Sequence, residues 1–128
     1  NAKAALISRG IVEIARLGTA LGAKQNTFFG VSGIGDLLTT CYSRHGRNLH
    51  VGREIGRGRK LQEILSGMAM VAEGVWTCQA AREMARAKKV EMPITNEVCR
   101  VLHEGESARE GVRRLMGRHP KAEAQDWA

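Results

Sequence analysis

The 128-residue sequence predicts an all-α fold: a compact multi-helix domain with a single hydrophobic core. Apolar residues recur every three or four positions in several segments, which is the spacing of one helix face. No segment of useful length alternates apolar and polar residues as a half-buried strand does. Aromatic residues make up only 4% of the chain, so the core must consist mainly of aliphatic side chains.

The first helix is predicted over residues 2–21, and Gly22 ends it. Apolar residues recur along this segment at helical spacing, namely Ile7, Ile11, Ile14 and Leu21. Further apolar residues lie on the neighbouring faces, so we expect a largely buried helix, at the centre of a bundle or against another subunit. Residues 25–33 then form a short turn or helix.

Two short helices are predicted over residues 48–56 and 61–65, separated by the helix-breaking sequence GRGRK. A longer helix follows over residues 73–89, where three apolar residues lie four apart and cations suit the C-terminus. The three apolar residues are Trp76, Ala80 and Met84.

The next helix is predicted to begin at Thr95, a natural N-cap after a proline, and to end at Gly105. The last helix begins with a capping box formed by Ser107 and Glu110, and Gly117 stops it. Residues 120–128 are expected to be a flexible tail.

The net charge of +7 is concentrated in one short span. Its cations, set against the single acid Glu54, are Arg44, Arg47, Arg53, Arg57, Arg59 and Lys60. Nucleic acid, anionic lipid headgroups and a phosphorylated small molecule would each satisfy such a cluster, since charge alone does not identify a partner. A solvated surface rich in arginine is the alternative.

The three cysteines form no CxxC pair and their number is odd, which favours free thiols in a reducing compartment such as the cytoplasm. The histidines show no metal-ligand spacing, so no metal site is predicted. No apolar run approaches the roughly 20 residues that cross a bilayer. The chain opens without methionine in helical sequence, which is the appearance of a fragment.

Common catalytic and nucleotide-binding motifs are absent. The segment GVSGIG at 30–35 is not a nucleophile elbow, because the pattern is incomplete and no strand precedes it. The segment GRGRK at 56–60 is neither a dinucleotide fingerprint nor a P-loop. This chain therefore cannot bind a dinucleotide by itself in the strand-turn-helix manner.

Asp36, one of two aspartates in the chain, lies beside Gly33 and Gly35. These glycines permit close backbone approach, and a carboxylate confined there needs a cation or hydrogen-bond donors. Its candidate partners are Thr39, Thr40, Arg47 and a lysine from outside the chain. The alternative is that Asp36 caps the following turn.

Arg47 and Asn48 suit a small phosphorylated ligand. A guanidinium binds phosphate oxygens with two hydrogen bonds, and a carboxamide donates to a phosphate or hydroxyl oxygen. Glu73 either accepts hydrogen bonds from ribose hydroxyls or occupies the favourable first turn of its helix.

Four segments in order resemble the C-terminal half of the bacterial NAD(P)-dependent glycerol-3-phosphate dehydrogenase family. They are NAKAALISRG at 1–10, SGIGDLLTTCYSRHGRN at 32–48, VAEGVWT at 71–77 and MPITNEVCRVLHEG at 92–105. The most specific part of the resemblance is GIGDLLTTC followed by RN.

The resemblance implies that residues 1–128 are a helical substrate-binding domain similar to the C-terminal domain of the 6-phosphogluconate dehydrogenase-like superfamily, preceded by an absent nucleotide-binding domain. It implies reversible hydride transfer between NADH or NADPH and dihydroxyacetone phosphate, which gives sn-glycerol 3-phosphate for glycerophospholipid synthesis. The general acid/base of the family is a lysine upstream of residue 1, and Lys3 does not match it. This chain alone is expected to be inactive.

By the same resemblance, Asp36 lies beside that lysine and the substrate. The further positions matching the family's substrate site are Thr40, Gly46, Arg47 and Asn48, and those matching its cofactor side are Arg47, Val71 and Glu73. Relatives commonly have serine where this sequence has Gly46, which removes a hydroxyl and leaves only a backbone N–H.

Two other functions remain open at this point. The basic cluster allows a helical nucleic-acid-binding module, although few aromatic residues are present for stacking on bases. The chain could also be a dimerisation domain of a different hydroxyacid dehydrogenase. The apolar first helix is compatible with a homodimer.

Overall fold

The computed structural model describes residues 1–118. Within this range seven α-helices follow one another, and no strand is present. They are α1 (Ala2–Ala20), α2 (Asp36–Tyr42), α3 (Arg47–Gly56), α4 (Leu61–Ser66), α5 (Gly74–Lys88), α6 (Pro93–His103) and α7 (Ala108–Met116). A 3₁₀ turn over Gln25–Phe29 and a π-helical turn over Val31–Gly35 join α1 to α2. The all-α prediction is confirmed, and the predicted tail lies outside the described residues.

Helices α1, α5 and α6 pack against one another, α7 packs against α6 and α3, and α4 packs against α3. Two clusters of buried side chains lie between them. The first comprises Val51, Ile64, Ala72 and Val75, and the second comprises Leu17, Ala85 and Met92. The buried hydrophobic residues of the described chain include no aromatic side chain, which confirms the predicted aliphatic core.

Only part of helix α1 is buried, so the prediction of a largely buried helix was wrong for the described chain. Ile7, Ile11 and Leu17 are buried, whereas Leu6 and Ile14 are 47% and 41% exposed. The helix contacts α2, α5, α6 and the 3₁₀ turn over Gln25–Phe29. Leu6 and Ile14 nevertheless keep a large part of their apolar surface exposed within residues 1–118.

Helix α5 was predicted from Trp76, Ala80 and Met84, but these residues lie on its exposed side. The buried residues of α5 are the smaller Val75, Cys78 and Ala85. Small side chains let neighbouring helices approach closely, so they form the packed face while the large apolar side chains remain outside. The four-residue period correctly indicated a helix, and the buried face is a different one.

Helix α6 begins at Pro93, two residues before the predicted N-cap Thr95. The carboxylate of Glu13 on α1 accepts hydrogen bonds from the backbone N–H of Ile94 at 2.6 Å and of Thr95 at 3.2 Å. The Thr95 hydroxyl also donates to it, at 3.3 Å. A side chain distant in sequence thus satisfies the free N–H groups of the helix N-terminus, which is why Thr95 is not the cap.

Helix α7 begins after Ser107 as predicted, but the predicted capping box does not form. The Ser107 side chain makes no capping hydrogen bond, and Glu110 instead forms an ion pair with Arg113 at 3.1 Å. The helix is fixed to α6 by Arg114, which donates to Glu97 at 2.8 Å. This hydrogen bond is the main reason that the pKa of Glu97 lies below its usual value.

We predict that Glu13→Ala destabilises the fold by about 1–3 kcal/mol, because the N–H groups of Ile94 and Thr95 lose their acceptor. Urea unfolding followed by circular dichroism measures this change. Glu13→Gln retains an acceptor oxygen and should cost less. The exposed Glu83→Ala on α5 is the control and should change the free energy of unfolding by less than about 0.5 kcal/mol. Equal stability of Glu13→Ala and the control would contradict the capping role.

Candidate functional site

A cleft of about 340 Å³ opens where the end of α2, the loop after it, the start of α3 and the residue before α5 meet. This volume is in the range of small-molecule sites. Its lining residues are Thr39, Thr40, Ser43, His45, Gly46, Arg47, Asn48, Leu49 and Glu73. Five of the predicted site positions therefore lie together, although they come from separate segments of the sequence.

Arg47 is the first residue of α3 and is exposed at the cleft. Gly46 precedes it in an extended conformation, and its carbonyl accepts the N–H of His50 at 2.9 Å as the helix begins. Within residues 1–118 no carboxylate pairs with the Arg47 guanidinium. Its donors are therefore available to an anion in the cleft.

Two other cations of the predicted basic cluster are paired with the acid in the same segment. Arg57 and Arg59 both donate to Glu54, at 2.5 and 2.8 Å. The hydrogen bonds from Arg59 and Arg57 hold the pKa of Glu54 below its usual value. This internal neutralisation weakens the case for a continuous basic surface of the kind that binds nucleic acid.

Asn48 connects the two walls of the cleft. Its Oδ1 accepts a hydrogen bond of 3.0 Å from the backbone N–H of Gly74, the first residue of α5. Val51, one turn further along α3, is buried with Ala72 and Val75, which flank the turn that begins α5. The burial of Val51 with Ala72 and Val75 and the hydrogen bond from Gly74 to Asn48 therefore both fix the start of α3 against the start of α5.

Glu73 is the N-cap residue of α5, and its exposed side chain lines the cleft. Its carbonyl accepts the N–H and the hydroxyl of Thr77, both at 3.0 Å. Its carboxylate forms no ion pair within residues 1–118. Val71 is 59% exposed and is not among the residues lining the cleft.

Asp36 is exposed, so the prediction of a confined carboxylate was wrong for the described chain. It is the first residue of α2 and lies one turn before Thr40 on the same face of the helix. None of the partners expected for it within the chain pairs with it, and the hydroxyl of Thr39 donates to the Gly35 carbonyl instead.

Asp36 is not a helix cap either. The backbone of Gly35 is already helical, because the π-helical turn runs directly into α2. Lys3 donates to the Cys41 carbonyl at 2.8 Å and lies over the Tyr42 ring, so it is engaged away from Asp36.

The two glycines expected to allow close approach beside Asp36 have different roles. A Cβ atom at Gly33 would lie 2.1 Å from the Phe28 carbonyl oxygen, so the bare glycine packs against the preceding turn. A Cβ at Gly35 would make only ordinary contacts. Gly46 lines the cleft, but its N–H donates to the Ser43 carbonyl at 3.3 Å and adds little to an anion site.

Ser43, His45 and Leu49 were not predicted from the sequence to bind a ligand. Thr39 was predicted only as a partner of Asp36. All four line the cleft. Ser43 and His45 flank Arg44 in the short loop before α3, and only the direction of that loop brings them to the cleft. Their closeness to Arg47 in sequence was the available signal.

Other chemistry finds no support in the described chain. No group of three or more potential metal ligands is present among residues 1–118, and none of the helices there is long and apolar enough to cross a membrane. The cysteines are free thiols. Burial raises the pKa of the Cys78 thiol to about 12, so it stays protonated near neutral pH.

A second cavity, of about 280 Å³, lies between α1, α6 and α7 and contains none of the predicted site residues.

These features define a class: an all-helical domain with a small-ligand cleft lined, within residues 1–118, by an unpaired guanidinium, a carboxamide and a carboxylate. Comparison with known proteins shows the family. Residues 1–113 match the family described as NAD-dependent glycerol-3-phosphate dehydrogenase C-terminus.

Curated relatives include the NAD(P)+ glycerol-3-phosphate dehydrogenases of Exiguobacterium sp. and Macrococcus caseolyticus. The first is 53% identical over 125 residues, 98% of this chain and 37% of the relative. The second is 55% identical over 118 residues, 92% of this chain and 36% of the relative. The 2.1 Å crystal structure of the glycerol-3-phosphate dehydrogenase from Coxiella burnetii superposes with a TM-score of 0.88 at 36% identity, over 92% of this chain and 36% of that one.

The chain belongs to the family of C-terminal domains of NAD-dependent glycerol-3-phosphate dehydrogenases. It spans a little over a third of the length of the relatives that it matches. The predicted family and the predicted fold class are thereby confirmed, while the individual roles of the site residues stay predictions.

Proposed function

We propose that this chain is the substrate domain of an enzyme that interconverts dihydroxyacetone phosphate and sn-glycerol 3-phosphate with NAD or NADP. The observation that carries the proposal is the convergence of Arg47, Asn48 and Glu73 on one cleft. A phosphate ester is the small ligand that best matches an unpaired guanidinium beside a carboxamide donor.

In this proposal Arg47 holds the phosphate and Asn48 donates to a phosphate or hydroxyl oxygen. The Thr40 hydroxyl contacts the substrate, and the backbone of Gly46 forms part of the wall. Asp36 is not among the residues lining the cleft, but it lies one turn from Thr40, which is. Its exposure leaves room for the ammonium group of the general acid/base lysine, which an adjacent carboxylate keeps protonated and in place.

The cofactor accepts or supplies the hydride when bound. Arg47 and Glu73 fit its side of the cleft, because a cation and a carboxylate provide a phosphate contact and acceptors for ribose hydroxyls. Val71 offers an exposed apolar surface two residues before Glu73. A cleft of about 340 Å³ suits the substrate and one end of the cofactor, so most cofactor contacts belong to a separate nucleotide-binding domain.

We further propose that this nucleotide-binding domain precedes residue 1 in the intact protein and supplies the lysine, so that residues 1–128 alone are inactive. The length of the relatives supports this arrangement. Free cysteines fit a cytoplasmic enzyme, and its product is the backbone of glycerophospholipids. The exposed apolar residues Leu6 and Ile14 of α1 support contact with another domain or with a second subunit of a homodimer.

We predict that Arg47→Ala in the intact enzyme raises the KM for dihydroxyacetone phosphate, with a loss of about 1.5–3 kcal/mol for one charge-assisted hydrogen-bonding group. Steady-state kinetics with varied substrate measures this. Arg53→Ala removes the same charge from the same helix outside the cleft and is the matched control. Equal effects of the two variants would show that overall charge, rather than a phosphate site, attracts the substrate.

We predict that Asp36→Asn lowers kcat more than it changes KM, because the carboxylate acts on the lysine rather than on the phosphate. Loss of the neighbouring negative charge should also lower the pKa of the lysine and move the pH profile of kcat to lower pH. Rate measurements across pH test both effects. An undiminished kcat with an unmoved profile would remove Asp36 from the reaction.

A further inference from the structure

Asn48 on α3 lines the cleft, and Gly74, the first residue of α5, directly follows the lining residue Glu73. Asn48 and Gly74 are 26 residues apart in sequence. The Gly74 N–H is among the first of α5 and has no intrahelical acceptor, as is normal for a helix N-terminus. It donates to Asn48 Oδ1 at 3.0 Å. The carboxamide of Asn48 is therefore held at one side by a backbone group.

The absence of a side chain at position 74 is a steric requirement of this contact. A Cβ atom there would lie 2.9 Å from each of Cγ, Oδ1 and Nδ2 of Asn48. The backbone of Gly74 is helical, so any residue could adopt its conformation. The glycine is needed for the space that the Asn48 carboxamide occupies.

The hydrogen bond also determines which end of the carboxamide is presented to a ligand. A backbone N–H can only donate, so the oxygen of Asn48 must face Gly74 and the nitrogen must point elsewhere. In the described part of the chain no protein acceptor binds the two Nδ2 hydrogens, and Asn48 lines the cleft. The group of Asn48 that is left for a ligand at this corner of the cleft is therefore Nδ2, a hydrogen-bond donor.

We propose that Gly74 is a positioning residue that fixes the carboxamide of Asn48 with Nδ2 toward the cleft, so that this corner accepts only an oxygen acceptor such as a phosphate or hydroxyl oxygen. This inference rests on the proposed function and specifies how Asn48 selects its ligand. The Gly74 backbone follows Glu73 directly, so the same contact sets the distance between the Asn48 and Glu73 walls.

A double-mutant cycle in the intact enzyme tests the inference, with dihydroxyacetone phosphate as the varied substrate. Gly74→Ala displaces the carboxamide and should raise the KM roughly tenfold or more, as Asn48→Ala does, while the KM for the nucleotide changes far less. In the Asn48→Ala background the three atoms that meet the new methyl group are gone. Gly74→Ala should then have no further effect.

Two more variants separate the steric effect from the donor effect. Gly52→Ala places a methyl group in open space on α3. It should leave the KM for dihydroxyacetone phosphate unchanged in the wild-type enzyme and in the Asn48→Ala enzyme. Asn48→Asp keeps the oxygen that accepts from Gly74 but replaces the donor with a second oxygen. It should raise the KM at least as much as Asn48→Ala.

The outcomes distinguish this inference from the proposed function. If Asn48→Ala raises the KM but Gly74→Ala does not, or if the two effects add fully, the positioning role is overturned and the substrate site stands. If neither Asn48→Ala nor Arg47→Ala changes the KM, the proposed function itself fails. An Asn48→Asp enzyme with normal KM would refute the donor orientation.

Discussion

The functional site depends on the burial of one small aliphatic cluster beneath it. Val51 and Val75 are both 2% exposed and pack together with Ile64 and Ala72. Removing such side chains from water is the main force that holds α3 against the start of α5. Asn48 lies one turn before Val51, so the packing that buries the cluster also sets the separation of the cleft walls.

Polar contacts hold both ends of α6 in place. The carboxylate of Glu13 fixes the start of α6, and His103 at the end of α6 is hydrogen-bonded at 2.6 Å to the carbonyl of Val75. Burial raises the pKa of Glu13, while hydrogen bonds from Ile94 and Thr95 oppose the rise. Because the folded-state pKa is above the unfolded value, this group's contribution to stability is full below the unfolded pKa and declines as pH rises through the folded pKa.

Local features of the sequence were sufficient to predict the helices, because periodicity, glycine and proline act within a few residues. They were not sufficient where a side chain distant in sequence makes the contact that a local residue was expected to make. The cap of α6 comes from Glu13, 81 residues before Ile94, and the exposed stripe on α5 is indistinguishable by period from a buried one. Arg47 and Asn48 could be predicted from their chemistry and from family resemblance. The hydrogen bond between Asn48 and Gly74 could not, because only the packing of α3 on α5 brings these residues together.

We propose that a phosphate ester binds between the guanidinium of Arg47 and the carboxamide nitrogen of Asn48. A crystal structure of the intact dehydrogenase with sn-glycerol 3-phosphate would show this directly. We expect phosphate or hydroxyl oxygens within hydrogen-bonding distance, about 2.7–3.2 Å, of both groups, with Asn48 Oδ1 still on the Gly74 N–H. Ligand bound between α1, α6 and α7 instead, or an Asn48 oxygen turned toward the ligand, would contradict it.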